Sequence, residues 1–558
     1  MRAHPTKSAS LNPWLVLAVI CIPVFVGSLD LTVVSAFLPD LILELEIPLQ
    51  TGLGDAAWIL SAYLLAYTIS LTFMGRVSDL IGRRGVYAAC LTVFIVGSIL
   101  VAIAHTWPTD MLNTLYRRMG ERPDIAYVNL QAIIIGRVIQ ALGAGALVPV
   151  SMALVADLFP PNQRAQPLGV VAAMDTLGWV LGHLYGGIFI QIMPWQGLFW
   201  MNVPLTLFAL VVTLWALRNV PQYKVKGRFD FLGMALIVGA LTALNVGLGV
   251  NIDIGGITSI DDFTMLPPYA VPLVSASVVL FLLFFVVESR VRDPLINIRM
   301  FRRRNIAAGS ITNLFIGYCL FIGLVTVPIL VNVRQDSVES LDSAALQVGF
   351  LLSALTVPMA LAAVPGGWLS QRIGYSRTIV AGLSISIVGF LLIWQTWHID
   401  ISDTIIAVEM ALVGVGIGLT FSPISASVIN AATDSERGVA SALVLVLRLM
   451  GMTLSVSSLT TFSLQRVTML ATRELGVTAD ALSTSVYANT YARITIDVLA
   501  ELGLLGAIVC GVAIIPALMI RRDDDVTSGP PTSPTGEYGD PNGRVTAERQ
   551  QSATPRTS

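Results

Sequence analysis

Apolar residues along this chain gather in runs long enough to cross a bilayer. A spanning helix needs about 20 apolar residues at about 1.5 Å each. Such runs occupy 13–38, 56–75, 86–104, 129–157, 167–192, 197–217, 230–250, 268–287, 306–331, 344–369, 378–397, 404–430, 439–463 and 496–520. Fourteen runs predict an all-α membrane protein, and an even number puts both termini on one side. The connections sort by charge. One set holds Arg76, Arg83, Arg84, Arg164, Arg218, Lys224, Lys226, Arg228, Arg290, Arg292, Arg299, Arg302 to Arg304, Arg372, Arg377, Arg437, Arg521 and Arg522. The other includes the acidic loops 251–266 and 336–342. The positive-inside rule then predicts a cell-membrane protein with the first set and both termini in the cytoplasm. Loop 105–127, with Arg117, Arg118 and Arg122, is an exception on the outer side and reads as an insertion, with 111–120 a short amphipathic helix. The tail 521–558 turns to Asp, Gly, Pro, Ser and Thr and reads as disordered.

The run 168–192 carries Met-Asp-Thr-Leu-Gly-Trp-Val-Leu-Gly-His-Leu-Tyr-Gly-Gly at 174–187. Asp175 falls about 13 Å into the membrane, where a carboxylate is costly unless it faces protein or water and marks an ion or substrate path. Gly178, Gly182 and Gly186 follow on the same helix face. Small residues at this spacing let helices approach closely or slide, which predicts an inter-bundle glycine face. The second half repeats the arrangement. Arg164 precedes Asp175 by eleven positions and Gly178 by fourteen, and Arg437 precedes Arg448 and Gly451 by the same intervals. A duplicated fold would thus set an acid and a base at equivalent depths, Asp175 and Arg448 facing each other across a central cavity.

The helix that reaches Leu464 continues through Glu474 and stops at Gly476, which from Gly438 is about 37 residues or roughly 55 Å. This exceeds a ~30 Å hydrocarbon core, so a helical hairpin at about 465–495 should protrude on the outer side. The next helix begins near Ala479 and carries Arg493, Asp497 and Glu501 every four residues. These form either a solvated stripe of i,i+4 pairs, or a stripe in which Glu501, the deepest, titrates during function.

With 55% apolar and 12% charged residues, the composition excludes a soluble enzyme. The four cysteines and four histidines lack paired or zinc-like spacing, so neither disulfides nor a metal site is expected, and nucleic acid is not among the expected partners. No lysine follows a glycine, so a phosphate-binding GxxxxGK[ST] loop is ruled out, and no cofactor is expected.

Gly75-Arg-Val-Ser-Asp79-Leu-Ile-Gly82-Arg83-Arg84 joins the second and third runs, with a weaker echo, Gly367-Trp-Leu-Ser-Gln371-Arg-Ile-Gly374, in the second half. Its glycines permit a tight turn, and Asp79 can accept from a neighbouring helix N-terminus or arginine, closing that side as a gate. With Leu29-Asp30-Leu-Thr-Val-Val, Trp58-Ile-Leu-Ser-Ala-Tyr63, Gly136-Arg137-Val-Ile-Gln140-Ala-Leu-Gly143, Phe199-Trp200-Met-Asn202-Val-Pro204 and Asp293-Pro294-Leu-Ile-Asn-Ile-Arg299, it resembles the major facilitator superfamily. Within that superfamily the chain is similar to the fourteen-span drug:H⁺ antiporters of the EmrB/QacA type. The resemblance implies two six-helix bundles, 1–217 and 305–520, with two extra spans in a linker, 218–304. It also implies that Asp30 and Arg137 are a proton-responsive pair, against the alternative of a static structural pair. The glycine-rich 178–187 occupies the place of that family's Gly-Pro-x-x-Gly-Gly motif, with His183 in place of proline. His183 either titrates near neutral pH or is held by a hydrogen bond. Asp175, Arg448 and the outer hairpin resemble, more loosely, a branch that exports triacylglycerides with a lipoprotein partner on the outer face.

Three functions follow as expectations. The first is a proton-coupled antiporter of hydrophobic or amphiphilic small molecules, of the multidrug-efflux type and driven by the proton gradient. The second is a lipid exporter acting with an outer-face partner. The third is a non-transporting membrane receptor that kept the fold.

Overall fold

This computed structural model describes residues 12–45, 53–190, 192–222, 224–225, 227–248, 269–334, 341–475 and 484–521, and these described residues form sixteen α-helices. The first half holds α1 (Pro13–Glu44), α2 (Leu53–Ile81), α3 (Arg83–Ala102), α4 (Trp107–Arg118), α5 (Ile125–Ala144), α6 (Leu147–Leu158), α7 (Ala165–Phe189) and α8 (Trp195–Ala216). A hairpin of α9 (Phe231–Leu248) and α10 (Ala270–Arg290) follows. The second half holds α11 (Arg304–Val333), α12 (Leu341–Ile373), α13 (Tyr375–Thr396), α14 (Asp403–Ala431), α15 (Arg437–Leu475) and α16 (Thr484–Leu518). Among the described residues thirteen stretches are long and apolar enough to cross a membrane, α5 and α6 together making one. Helix α7, carrying Asp175, stands in the place of the fourteenth run. Loop 251–266, most of 336–342, Lys226, the hairpin tip with Gly476 and Ala479, and 522–558 lie outside the described residues.

The arginine-rich connections share one end of the molecule, and both described termini lie there. Trp14 packs edge-on against Phe159 at 5.3 Å, and the Arg521 N–H donates to Asn305 Oδ1 at 2.9 Å. The two echoing loops turn alike, because Gly82 (φ 103°) and Gly374 (φ 95°) both take a left-handed conformation that side chains resist.

The duplication read from spacing is built into the packing. Helix α7 packs along α1, and α15 packs along α11. At corresponding points a glycine allows the contact. A methyl group on Gly178 would meet Ser28 and the Phe25 carbonyl of α1, and one on Gly451 would meet Leu314 and Tyr318 of α11. Across the halves, Gly75 of α2 abuts Gly438 of α15, and Gly367 of α12 abuts Ala165 of α7, again a matched pair.

Helices α15 and α16 extend well past the hydrocarbon length, at 39 and 35 residues. Arg466 on α15 grips Glu501 on α16 with two guanidinium nitrogens, Nη2 at 2.7 Å and Nε at 2.8 Å, and Arg493 pairs with Glu474 at 2.6 Å. Arg493 and Glu501 are therefore paired with the neighbouring helix of the hairpin, while Asp497 keeps the charge of Arg493, four residues away on its own helix, as the sequence suggested.

Candidate transport pathway and gate

Asp30 on α1 and Arg137 on α5 meet in the first half, both with no solvent exposure. Arg137 Nη1 donates to Asp30 Oδ2 at 2.6 Å, and Nη2 donates to the Asp30 carbonyl at 3.2 Å. Asp30 Oδ1 accepts from Asn202 Nδ2 of α8 at 2.6 Å and from Gln140 Nε2 of α5 at 3.0 Å. Gln140 also accepts from Arg137 at 2.7 Å and donates to Ser98 of α3 at 2.8 Å. The guanidinium lies 3.8 Å from the centroid of the Tyr63 ring, on α2. Five helices thus converge on one carboxylate. A buried charge survives only with this kind of solvation, because an unpaired one costs several kcal/mol.

The second charge centre is arranged differently. Asp175 on α7 accepts from Ser28 Oγ of α1 at 2.6 Å. Arg448, on α15 of the other half, lies with its guanidinium 3.7 Å from the centroid of the Phe421 ring, on α14. Asp175 and Arg448 lie within each other's electrostatic reach but do not close to the 4.0 Å of an ion pair. They retain 8% and 7% exposure, unlike the sealed Asp30 and Arg137. Arg448 Nε and Nη2 are buried with no hydrogen-bond acceptor among the described residues. These two donors lie opposite an acid of the other half, so the centre keeps hydrogen-bonding capacity that the described residues do not fill.

Gly178 and Gly182 correct an expectation. At these two glycines α7 meets not the second half but α1, against Ser28, Leu29 and Thr32. With no side chain at either position α7 can sit directly on the α1 backbone, while Asp175, one turn earlier, bonds Ser28 of α1 and lies within electrostatic reach of Arg448. Gly186 is buried on the same helix. The contact of α7 with the second half lies nearer its start, where Ala165 and Gly169 meet Gly367 and Ala363 of α12. The side chain of His183 lies outside the described residues.

At the arginine-rich end the gate residues form a cluster. Arg83 Nη1 donates to Asp79 Oδ1 at 2.9 Å and to Ser78 Oγ at 2.8 Å, while its Nε pairs with Asp157 Oδ2 at 2.8 Å. Asp79 also accepts from the Gly438 N–H of α15 at 3.2 Å, at the point where Gly75 lets the helices touch. Arg84, next in the motif, is exposed, and its backbone N–H donates to Gln222 at 3.0 Å. Sequence reasoning missed two members of this cluster. Arg437 Nη1 reaches Asp157 Oδ1 at 3.2 Å, and Arg164 Nη1 reaches Asn430 Oδ1 at 2.8 Å. Asp157 and Asn430 each stand seven residues before an arginine, so the same repeat that aligned Asp175 with Arg448 also marks them. Hydrogen bonds joining the halves gather at this end, so the molecule is closed there.

Toward the opposite end, an open surface groove of about 480 Å³ runs between α9 and α15, lined by Leu248, Leu454, Ser458, Thr461, Phe462 and Gln465.

Comparison with known proteins agrees with this geometry. The family model described as Major Facilitator Superfamily matches residues 20–456. A triacylglyceride transporter of Mycolicibacterium smegmatis is 30% identical over 518 residues, covering 89% of this chain and 85% of that protein. A triacylglyceride transporter of Mycobacterium tuberculosis is 31% identical over 456 residues, covering 79% and 81%. Among solved structures, a human organic anion transporter superimposes with a TM-score of 0.55 at 17% identity, covering 89% of this chain and 99% of that one. The proton:xylose symporter XylE does so with a TM-score of 0.53 at 12% identity, covering 89% and 94%.

Proposed function

The chain belongs to the major facilitator superfamily of membrane transporters, and from that premise we propose that it exports a lipid-like, acylglyceride-type substrate by alternating access. The observation that carries this reading is the open pair: Asp175 in one half faces Arg448 in the other, and Arg448 keeps two unfilled donors. Ester carbonyls are acceptors that can fill such donors, and an arginine presents them in a planar fork. The open groove between α9 and α15, with Leu248, Leu454 and Phe462 in its lining, gives acyl chains an apolar surface to lie against. The relatives named as triacylglyceride transporters support the same cargo over a multidrug substrate.

The arginine-rich end is assigned to the cytoplasm by its charge, which makes the closed gate cytoplasmic and this conformation outward-facing. Asp30, held by Arg137, Asn202 and Gln140, is the proton site; each charge moved across 100 mV contributes about 2.3 kcal/mol. Protonation removes the charge that anchors five helices and so biases the first half toward its other packing. The outer hairpin of α15 and α16 offers the surface for a lipid-accepting partner.

The test is export of labelled triacylglyceride and of a fluorescent dye from vesicles bearing wild type or Asp175→Ala. Acylglyceride export by wild type that Asp175→Ala removes supports the reading. Dye export with no acylglyceride movement would assign the protein to multidrug efflux.

A further inference from the structure

Helix α4 carries a row of apolar side chains that no part of the described protein covers. Trp107, Met111, Leu115 and Met119 recur every four residues and so share one side of the helix. They are 53%, 60%, 52% and 66% exposed. The neighbouring side is fixed to the bundle. Pro108 and Thr109 are buried, Thr109 Oγ donates to the Ala104 carbonyl at 2.7 Å, and Leu112 packs against the cluster containing Leu130 and Ile133 of α5. The polar side carries Asp110, Thr114 and Arg117, all exposed. Going round the helix, protein, bare apolar surface and polar surface follow in turn. This is the cross-section of a helix lying flat at a membrane boundary rather than one crossing it.

We propose that α4 is an interfacial helix, its apolar row embedded in the lipid leaflet at the end opposite the arginine-rich gate. Two observations commit the row to lipid. It continues the lipid-facing surface of the spans on either side, where Val93 and Val96 of α3 and Ile125, Tyr127 and Ile135 of α5 are exposed. Arg117, Arg118 and Arg122, all exposed, close the far end of the row and complement headgroup phosphates. Asp110 and Glu121 sit away from the row, and Asp124 is engaged in capping α5 through the Ala126 N–H at 3.3 Å. The helix anchors the first half against the leaflet while the halves rock, whatever the cargo.

Nitroxide labels on the full-length protein in phospholipid nanodiscs test this. The native cysteines Cys21, Cys90, Cys319 and Cys510 are buried, so single labels at Leu115→Cys and Asp110→Cys report their own surroundings. Oxygen, which concentrates in lipid, should broaden the Leu115 signal, and a water-soluble nickel chelate the Asp110 signal. The depth expected for the Leu115 label is about 5–10 Å below the headgroup surface. Adding Arg118→Glu should move that label toward water, more in phosphatidylglycerol than in phosphatidylcholine. A Leu115 label as open to nickel as Asp110 would place the row in water and overturn the proposal. A label shielded from both reagents would assign the row to a protein neighbour, and would overturn it equally.

Discussion

Arg437 of α15 donates to Asp157 of α6 at 3.2 Å, and the other oxygen of the same carboxylate takes Arg83 Nε at 2.8 Å. One acid therefore ties the gate motif of the first half to the start of the long helix of the second. Its counterpart in the repeat, Arg164 to Asn430, is neutral on the acceptor side. The closed state is thus held by one charged clasp and one polar one.

Asp157→Ala should open this end. Arg83 keeps Asp79 and Arg437 keeps Asp434 at 2.5 Å, so the fold survives while the charged link between halves is lost, leaving the Arg164–Asn430 and Gly438–Asp79 bonds. Removing one partner of a buried pair costs about 3 kcal/mol or more, which moves a two-state equilibrium about a hundredfold. Labels at Arg84 and Arg377, both exposed at this end, read the change by electron–electron distance measurement. A longer-distance population should grow in the variant; an unchanged distribution would show that the clasp does not hold the gate.

Asp30→Asn should uncouple transport from the proton gradient. The amide keeps the size of the side chain and one acceptor, but Arg137 loses the titratable carboxylate 2.6 Å away. The expected result is export that no longer responds to ΔpH, with protein still correctly assembled by size-exclusion profile. Export that still follows ΔpH would remove Asp30 from the coupling step.

The charge centres were legible because ionisable residues inside apolar runs stand out, and because Arg164–Asp175 and Arg437–Arg448 share a spacing. The shell around Asp30 was not. Ser98, Gln140 and Asn202 are neutral, sit on three different helices and acquire their role only when those helices converge. The glycine face was seen but aimed wrongly, since periodicity tells which residues share a side and not which neighbour that side meets. The partner of Glu501 was missed for the same reason: Arg466 is far away along the chain and adjacent only across the hairpin.

Gly178→Ala and Gly451→Ala should destabilise their halves alike. A methyl on Gly178 would stand 2.6 Å from Ser28 Cβ and 2.8 Å from the Phe25 carbonyl, and backbone cannot yield as a side-chain tip does. Overpacking of this kind costs about 1–3 kcal/mol. Thermal unfolding in detergent should show both variants melting below wild type. The Gly178 change should also weaken export, because it pushes Ser28 away from Asp175.

Glu436, in the connection between α14 and α15, predicts an acid-sensitive link. Burial raises its pKa, but donors outweigh that: Thr433 Oγ at 2.8 Å, Asn297 Nδ2 at 2.8 Å and Arg303 Nη1 at 3.0 Å hold the carboxyl below its ordinary 4.5. A carboxyl with a lower pKa folded than unfolded stabilises the fold above the unfolded value, and that contribution is lost as pH falls below it. Wild type should therefore lose melting temperature as pH drops below about 4.5, the ordinary value. Glu436→Gln should melt lower than wild type at neutral pH and lose less over that acid window, so the two curves converge. Parallel curves would mean that Asn297 and Arg303 fasten the linker exit to α15 without help from the charge.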